Sequence, residues 1–599
     1  MQEKKMIKQQ IRLYSLGAFV GIVSGLVAVG FRLLIIGVSN LFFIVPSVIG
    51  PLGWLLIPAM GGLVVAYIVQ NYVPEAKGHG VPELMDAYAL RAGRIRSRVP
   101  ILKSLASAIC IGSGGSCGRE GPIAQIGGGV GSAIAGTLRL NSRTTKTLVV
   151  CGVASGIAAS FNAPLGGTLF GIEVIAGGLV GFSIIPVILS SVLATAVAGA
   201  ILGAQPSFQA PVFVLNNYFE LVLYLALGLI LGVISIVWVR GFYSIEDFFE
   251  RIKIPKLLLP AMGGLLVGVI GLLTIYLEGQ FLFSGIFKPG EPYFPATMGV
   301  GYPFMDAALV GNVSLAALFA FGILKILTTS VTLGSGGSGG VFAPTLFIGT
   351  ALGGAFGLAV SIVFPGVVIQ PMAYAIVGMA ALFAGSGRAP ITCIVIIMEM
   401  TNDYSLILPL MIAVSTSFLV ASLIEAESIY TLKLSRRGVK LRRGFYIGAL
   451  KEAKAGTIMT KEPAILHPEM TRTEVLQIVN ETQHTKFPVL TKEGLLIGTL
   501  ITEDLFCESD KDCEILVKDV MRSDFLHVTP DSTMDSILHA MLERGEGHAV
   551  VVDPRVPNMM LGFITKADVL KAYELAIVRL REEGEDVEAI DPLELMDDT

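Results

Sequence analysis

Two runs of small residues carry the chemistry open to this chain. GSGGSCGREGP occupies residues 112–122 and GSGGSGGVFAP occupies 334–344, an offset of 222. A second match follows in the same order: Ala163-Pro164, eight residues and Glu173 are answered by Ala389-Pro390, eight residues and Glu399, at an offset of 226. Ordered matches at nearly equal offsets mark a duplicated half. Neither run has side chains large enough to cover its backbone, and each ends where an apolar stretch able to form a helix begins. The first N–H groups of a helix lack intrahelical acceptors and carry roughly half a positive charge, so they attract an anion without placing a full charge in lipid. Pro122, Pro164, Pro344 and Pro390 suit the first turn of a helix, where a missing N–H does no harm.

Stripes of small residues also let membrane helices pack closely, a reading that suits one such run better than two matched ones. A cation site would call for carboxylates, and the second run has none. Glu120, two residues before Pro122, is the exception in the first run. Its carboxylate competes for the N–H groups that attract an anion, or simply favours the helix dipole. An acid that occupies an anion site when charged and leaves when protonated would act as a gate and tie a proton to each anion event.

These residues need a scaffold, and composition says which kind. The 599 residues are 53% hydrophobic and only 15% charged, with a mean hydropathy of +0.73 and 69 glycines showing no collagen period. Disordered, fibrous and ordinary soluble classes are excluded. Two stretches, 174–219 and 326–387, carry no charge, and the second has 62 residues, enough to cross a ~30 Å hydrocarbon core more than once. Up to about Tyr430 the chain reads as a polytopic helical membrane domain. Its duplicated, glycine-interrupted segments suggest a secondary-transporter architecture built from broken helices. Whether the halves run parallel or inverted is open at this point.

The basic start, MQEKKMIKQQIR, precedes the first apolar run without a cleavage pattern. Lys433, Arg436, Arg437, Lys440, Arg442 and Arg443 follow the last apolar stretch. Positive residues mark the inside, so both termini are expected in the cytoplasm, the protein being multi-pass in the plasma (inner) membrane. A net charge of −4 gives no reason to expect nucleic acid. Six scattered cysteines without a CxxC pair and six unclustered histidines argue against a metal site. No nucleophile, base and oxyanion arrangement points to an enzyme.

From about Phe445 the pattern becomes soluble α/β. Two similar units each read a β-like run, a Pro-containing turn, a helix, a strand, then Gly, a strand and an Asp-led helix start. The organisation expected is a membrane domain over 1–440, a linker over 441–455, two α/β units over 456–510 and 511–580, and an acidic tail over 581–599.

GHGVP at 78–82, GREGP at 118–122, FNAPLGGTLFGIE at 161–173, GGVFAP at 339–344 and MEMTNDYSLILPL at 398–410 resemble the signature segments of the CLC chloride channels and proton-coupled chloride transporters. The two C-terminal units resemble a pair of CBS domains. The resemblance implies the helical CLC fold followed by an α/β CBS pair, in a homodimer with one chloride pathway per subunit. Glu120 falls on the gating glutamate, and Gly118, Arg119 and Gly121 would lend backbone N–H groups to an outer anion site. Val341 and Phe342 fall where backbone amides meet the central anion, and Tyr430 matches the tyrosine whose hydroxyl completes it.

Two positions depart from the pattern. Many relatives have serine where this chain has His79, whose imidazole either donates to the anion, making binding pH-sensitive, or turns away and leaves the work to the backbone. Proton-coupled members of the well-known type carry a glutamate where this chain has Val174, which cannot relay a proton. The expectation is therefore passive chloride conduction. A proton-chloride antiporter of the same fold is the alternative, and a CBS-bearing divalent-cation channel is the alternative from another class.

CBS pairs resemble sensors of ATP, ADP or AMP. In the second unit, Gly562, Thr565 and Asp568 supply the recognisable element: aspartate suits two ribose hydroxyls, and threonine with helix N–H groups suits phosphate. The first unit keeps Asp504 but has Ile501 in place of the threonine, so one nucleotide site at most is expected. No other cofactor is required. His467, His484, His527, His539 and His548 are read as solvated or packing residues.

Overall fold

The computed structural model describes residues 2–178, 184–203, 207, 208, 213, 215, 217–281, 294–437, 453–505, 515–572 and 575. The chain divides into two compact units, Met1–Leu441 and Arg442–Thr599. The acidic tail and nearly all of the linker lie outside the described residues.

Sixteen helices of the first unit fall into two sets of eight in the same order. The first set is α1 (Gln2–Ile49), α2 (Leu52–Asn71), α3 (Val81–Leu90), α4 (Arg98–Gly112), α5 (Glu120–Thr137), α6 (Ser142–Phe161), α7 (Pro164–Phe170) and α8 (Ile184–Leu202). The second is α9 (Glu220–Arg251), α10 (Leu259–Phe281), α11 (Tyr302–Leu309), α12 (Leu315–Gly334), α13 (Phe342–Val363), α14 (Ala373–Gly387), α15 (Pro390–Thr401) and α16 (Ile407–Ile424). A short helix, α17 (Thr431–Arg436), closes the unit. Among the described residues, nine helices are long and apolar enough to cross a membrane.

The repeat reaches into the helix ends. Pro164 and Pro390 open α7 and α15 at their first positions, while Pro122 and Pro344 sit at the third positions of α5 and α13. α6 and α14 both end on a non-glycine residue in the left-handed region, Asn162 at φ 54° and Arg388 at φ 61°. Arg388 stays there because its guanidinium donates to the carbonyls of Ala421 at 2.6 Å and Glu425 at 2.7 Å. Every residue of α14 is buried, as a helix apolar on all sides requires.

α2 packs on α10, and α5 on α6 as α13 does on α14. The glycine runs connect α4 to α5 and α12 to α13, so each half contains a broken pair of helices. The equivalent glycines of the two runs meet: Gly118 N donates to Gly340 O at 2.7 Å and Gly340 N donates to Gly118 O at 2.6 Å, in opposed directions. Residues equivalent in the repeat that exchange both hydrogen bonds place a local two-fold axis between them.

The second unit holds a hairpin, β1 (Lys486–Leu490) with β2 (Leu496–Ile501), and a three-stranded sheet ordered β3 (His527–Val528), β4 (His548–Asp553), β5 (Val556–Thr565). Helix α18 (Arg472–Thr482) starts with a capping box between Thr471 and Glu474, and α19 (Met534–Glu543) starts on Thr533. The two α/β units expected from the sequence are both present as strand-and-helix modules.

Candidate anion site and its gate

Three helix starts meet at one place. Gly80, Arg119 and Val341 are the residues immediately preceding α3, α5 and α13. Gly121 is packed so closely against the carbonyl of His79 and the Cα of Gly340 that any side chain there would collide with both. Gly78 N donates to Gly337 O at 2.9 Å, and Gly339 N donates to Gly78 O at 3.3 Å, lacing the first loop to the second glycine run. The starts of three helices, whose first N–H groups lack intrahelical acceptors, are thus close together, an arrangement that favours a negative charge.

A negative side chain is already there. Glu120 is 1% exposed. Its Oε1 accepts from the Tyr302 hydroxyl at 2.7 Å and lies 3.8 Å from Arg119 Nε. Its Oε2 has no hydrogen-bond partner, and it lies over Gly118 beside the start of α13. Arg119 donates from Nη2 to Ser160 O at 3.1 Å and spreads its guanidinium over the Tyr302 ring, 5.2 Å from the centroid.

Deeper in, the site is walled by rings. Phe342 contacts Phe383 at 4.5 Å, Phe161 at 5.1 Å and Phe170 at 6.3 Å between centroids. Tyr430, immediately before α17, lies 6.5 Å from Phe170 and 5.8 Å from His79. The buried imidazole of His79 packs against Phe242; its Nε2 is 3.5 Å from the Tyr243 hydroxyl and its Nδ1 has no partner. Its ring thus lies beside Tyr430 in the same aromatic cage. Glu120, Gly118, Arg119, Gly121, His79, Val341, Phe342 and Tyr430 form one contiguous cluster.

Several residues of this cluster's support are silent in the sequence reading. Lys103 is wholly buried and donates to Ala76 O at 2.9 Å and Gly78 O at 2.8 Å; Lys325 is wholly buried and donates to Thr297 O at 3.3 Å and Gly299 O at 2.9 Å. The two lysines are 222 residues apart and the two glycines 221, so GHGVP at 78–82 has its counterpart in GVGYP at 299–303. Its trace in the letters is the short GxGxP frame common to both. Glu173 and Glu399 are equally reciprocal: Glu399 accepts from the amides of Leu165 at 3.0 Å and Gly166 at 2.6 Å at the start of α7, and Glu173 from Ile391 at 3.3 Å and Thr392 at 2.7 Å at the start of α15. Both acids cap helices. Cys110 and Cys117, distant from any CxxC spacing, bring their sulfurs to 3.8 Å.

With this geometry in place, comparison with known proteins is decisive. A family model described as voltage gated chloride channel matches residues 61–422, and the CBS domain model matches 455–509 and 517–575. The chain belongs to the CLC family. It is 35% identical over 444 residues to the H(+)/Cl(-) exchange transporter ClcA of Vibrio parahaemolyticus, covering 72% of this chain and 91% of that protein. It is 33% identical over 489 residues to the protein of the same name from Yersinia pestis, covering 76% and 92%. Among solved structures it is similar to a slow cyanobacterial Cl-/H+ antiporter, with a TM-score of 0.63 at 25% identity over 72% of this chain and 99% of that one. A eukaryotic CLC transporter shares the fold over 94% of this chain and 98% of its own, with a TM-score of 0.60 at 21% identity.

In the CBS pair, Asp568 accepts from both the amide and the hydroxyl of Thr565 at 2.8 Å, which opens the turn after β5. Asp504 of the first unit is instead held by Arg522, at 2.9 and 2.8 Å. His548 is buried, with its ring stacked on Phe563 and neither nitrogen paired; burial and the nearby Lys486 hold its pKa below the usual histidine value.

Proposed function

We propose that this chain exchanges chloride for protons across the membrane, with Glu120 as the gate of one pathway in each subunit of a homodimer. One observation carries the reading: the Glu120 carboxylate is seated over Gly118 beside the starts of α5 and α13, where first-turn amides favour an anion. A charged carboxylate there excludes chloride by filling its place and repelling it. Once protonated it loses most of its attraction for those N–H groups and gives way, so a proton and a chloride ion use the same place in turn. The amides of Gly118, Arg119, Gly121, Val341 and Phe342, with His79 and Tyr430 deeper in, are the anion-binding set of this proposal.

The relatives named as H(+)/Cl(-) exchange transporters support exchange over the passive conduction expected from Val174. Passive conduction stays the second reading because Val174 is buried and bears no proton, so an exchanger of this sequence must take its inner proton by another route. Chloride efflux from loaded liposomes with simultaneous pH recording separates the two. Exchange predicts proton uptake against a gradient, driven by chloride and abolished in Glu120→Gln while chloride still flows. Chloride flux with no proton movement would overturn it.

The same reading has both termini in the cytoplasm of a cell whose plasma or inner membrane holds the protein. It assigns the CBS pair one adenosine-nucleotide site at Thr565 and Asp568, with Asp504 committed to Arg522. Loss of ATP binding in Asp568→Ala checks that site; undiminished binding would refute it.

A further inference from the structure

The Glu120 carboxylate accepts a hydrogen bond from a side chain. Tyr302 is the first residue of α11, and it reaches Glu120 from the opposite half of the repeat. In the matching place of the first half, GHGVP, stands Val81, which is buried and has nothing to donate. A hydroxyl aimed at the gate therefore exists on one side of the two-fold axis only.

Everything around Tyr302 fixes where that hydroxyl points. The ring lies under the Arg119 guanidinium and meets Phe208 edge-on at 5.7 Å. Gly301, at φ 91°, turns the chain into α11 so close to the Phe347 ring that a larger residue would not fit. The loop before it is pinned twice: Lys325 Nζ binds the carbonyls of Thr297 and Gly299, and Gly299 N donates to Gly114 O at 3.1 Å. Gly114 belongs to the glycine run that leads to Glu120. Lys325 itself is seated over Phe347, 4.9 Å from its centroid. The donor and its acceptor thus hang from one connected piece of backbone.

We propose that Tyr302 is a positioning residue for the gate: its O–H holds the Glu120 carboxylate at the anion position, so opening requires breaking this bond as well as protonating the acid. The proposal rests on the reading of Glu120 as the gate. A phenol donates better to a charged carboxylate than to a neutral carboxyl, so the latch strengthens when the gate is charged and weakens when it takes a proton. The charged and titratable groups that face the carboxylate are Arg119 at the start of its own helix, Tyr302 from α11 and Tyr430 from before α17. Arg32 of α1 lies within electrostatic reach of Arg119 and Tyr302. None of these except Tyr302 hydrogen-bonds the carboxylate through its side chain.

The test is chloride efflux from liposomes holding the full chain, measured against pH in four proteins: wild type, Tyr302→Phe, Glu120→Ala and the double variant. Tyr302→Phe removes one oxygen and is expected to move the flux profile to higher pH by roughly one unit, the scale of one charge-assisted hydrogen bond. The same substitution should do nothing in the Glu120→Ala background. A Tyr302→Phe profile that overlays wild type while Glu120→Ala is constitutively active overturns the latch and leaves the gate standing. A Glu120→Ala profile identical to wild type overturns the gate reading, and the latch with it. A second variant guards against a simple packing defect: 3-fluorotyrosine at position 302 keeps the ring and sharpens the donor, so it should move the profile to lower pH. Shifts of the same sign from both replacements would also overturn the proposal.

Discussion

At the scale of single residues, the proposed site holds buried polar atoms that have no protein partner and that an ion could satisfy. His79 is the clearest case, with Nδ1 buried and unpartnered and Nε2 only distantly related to the Tyr243 hydroxyl. A buried polar atom without a partner costs about 1–3 kcal/mol, and in the tautomer that carries its proton on Nδ1 an anion beside Tyr430 would recover it. Replacing His79 by Ala should therefore lower the chloride-to-nitrate flux ratio several-fold, and His79→Ser, which restores a donor, should lower it less. Flux assays in the two anions check this; equal ratios in all three proteins would show that the ring takes no part. Glu120 and the glycines around it were legible because small residues before a helix leave few other purposes for their amides. Tyr302 and Lys325 were not, since a hydroxyl aimed across the repeat and a lysine bound to two carbonyls leave no pattern in the letters. The GxGxP frame shared by 78–82 and 299–303 was too short to stand out until their lysines proved equivalent.

At the scale of elements, the duplicated half explains more than the site. Each of α1–α8 has its counterpart eight helices later, and the acids of the second match are exchanged: Glu173 caps α15 while Glu399 caps α7. Short helices of seven and twelve residues gain from such caps, because their first amides have no intrahelical acceptor. Glu399→Gln keeps the shape and loses the charge, weakening two hydrogen bonds to backbone amides. We expect a loss of about 1–3 kcal/mol, read as a lower melting temperature in detergent, with a similar fall for Glu173→Gln. Unchanged melting in both would remove the capping role. The sequence showed these acids only as markers of the repeat; that each reaches into the other half depends on tertiary packing that no local spacing encodes.

At the scale of the whole molecule, the two-fold relation that pairs Gly118 with Gly340 brings two stretches of bare backbone together at the proposed anion site. The membrane unit and the CBS pair were separable by composition alone, since hydropathy and charge change abruptly after Tyr430. Val174, where proton-coupled members of the well-known type carry a glutamate, was legible too; on the proposed exchange the inner proton takes a route that this position does not supply. The proposed function requires an anion to take the place of the Glu120 carboxylate. Anomalous diffraction from crystals of Glu120→Ala grown in bromide tests it most directly. A bromide peak between Gly118 and the start of α13, at the position the carboxylate oxygens hold in the wild-type chain, is the predicted result; bromide bound elsewhere in the pathway with that position empty would contradict it.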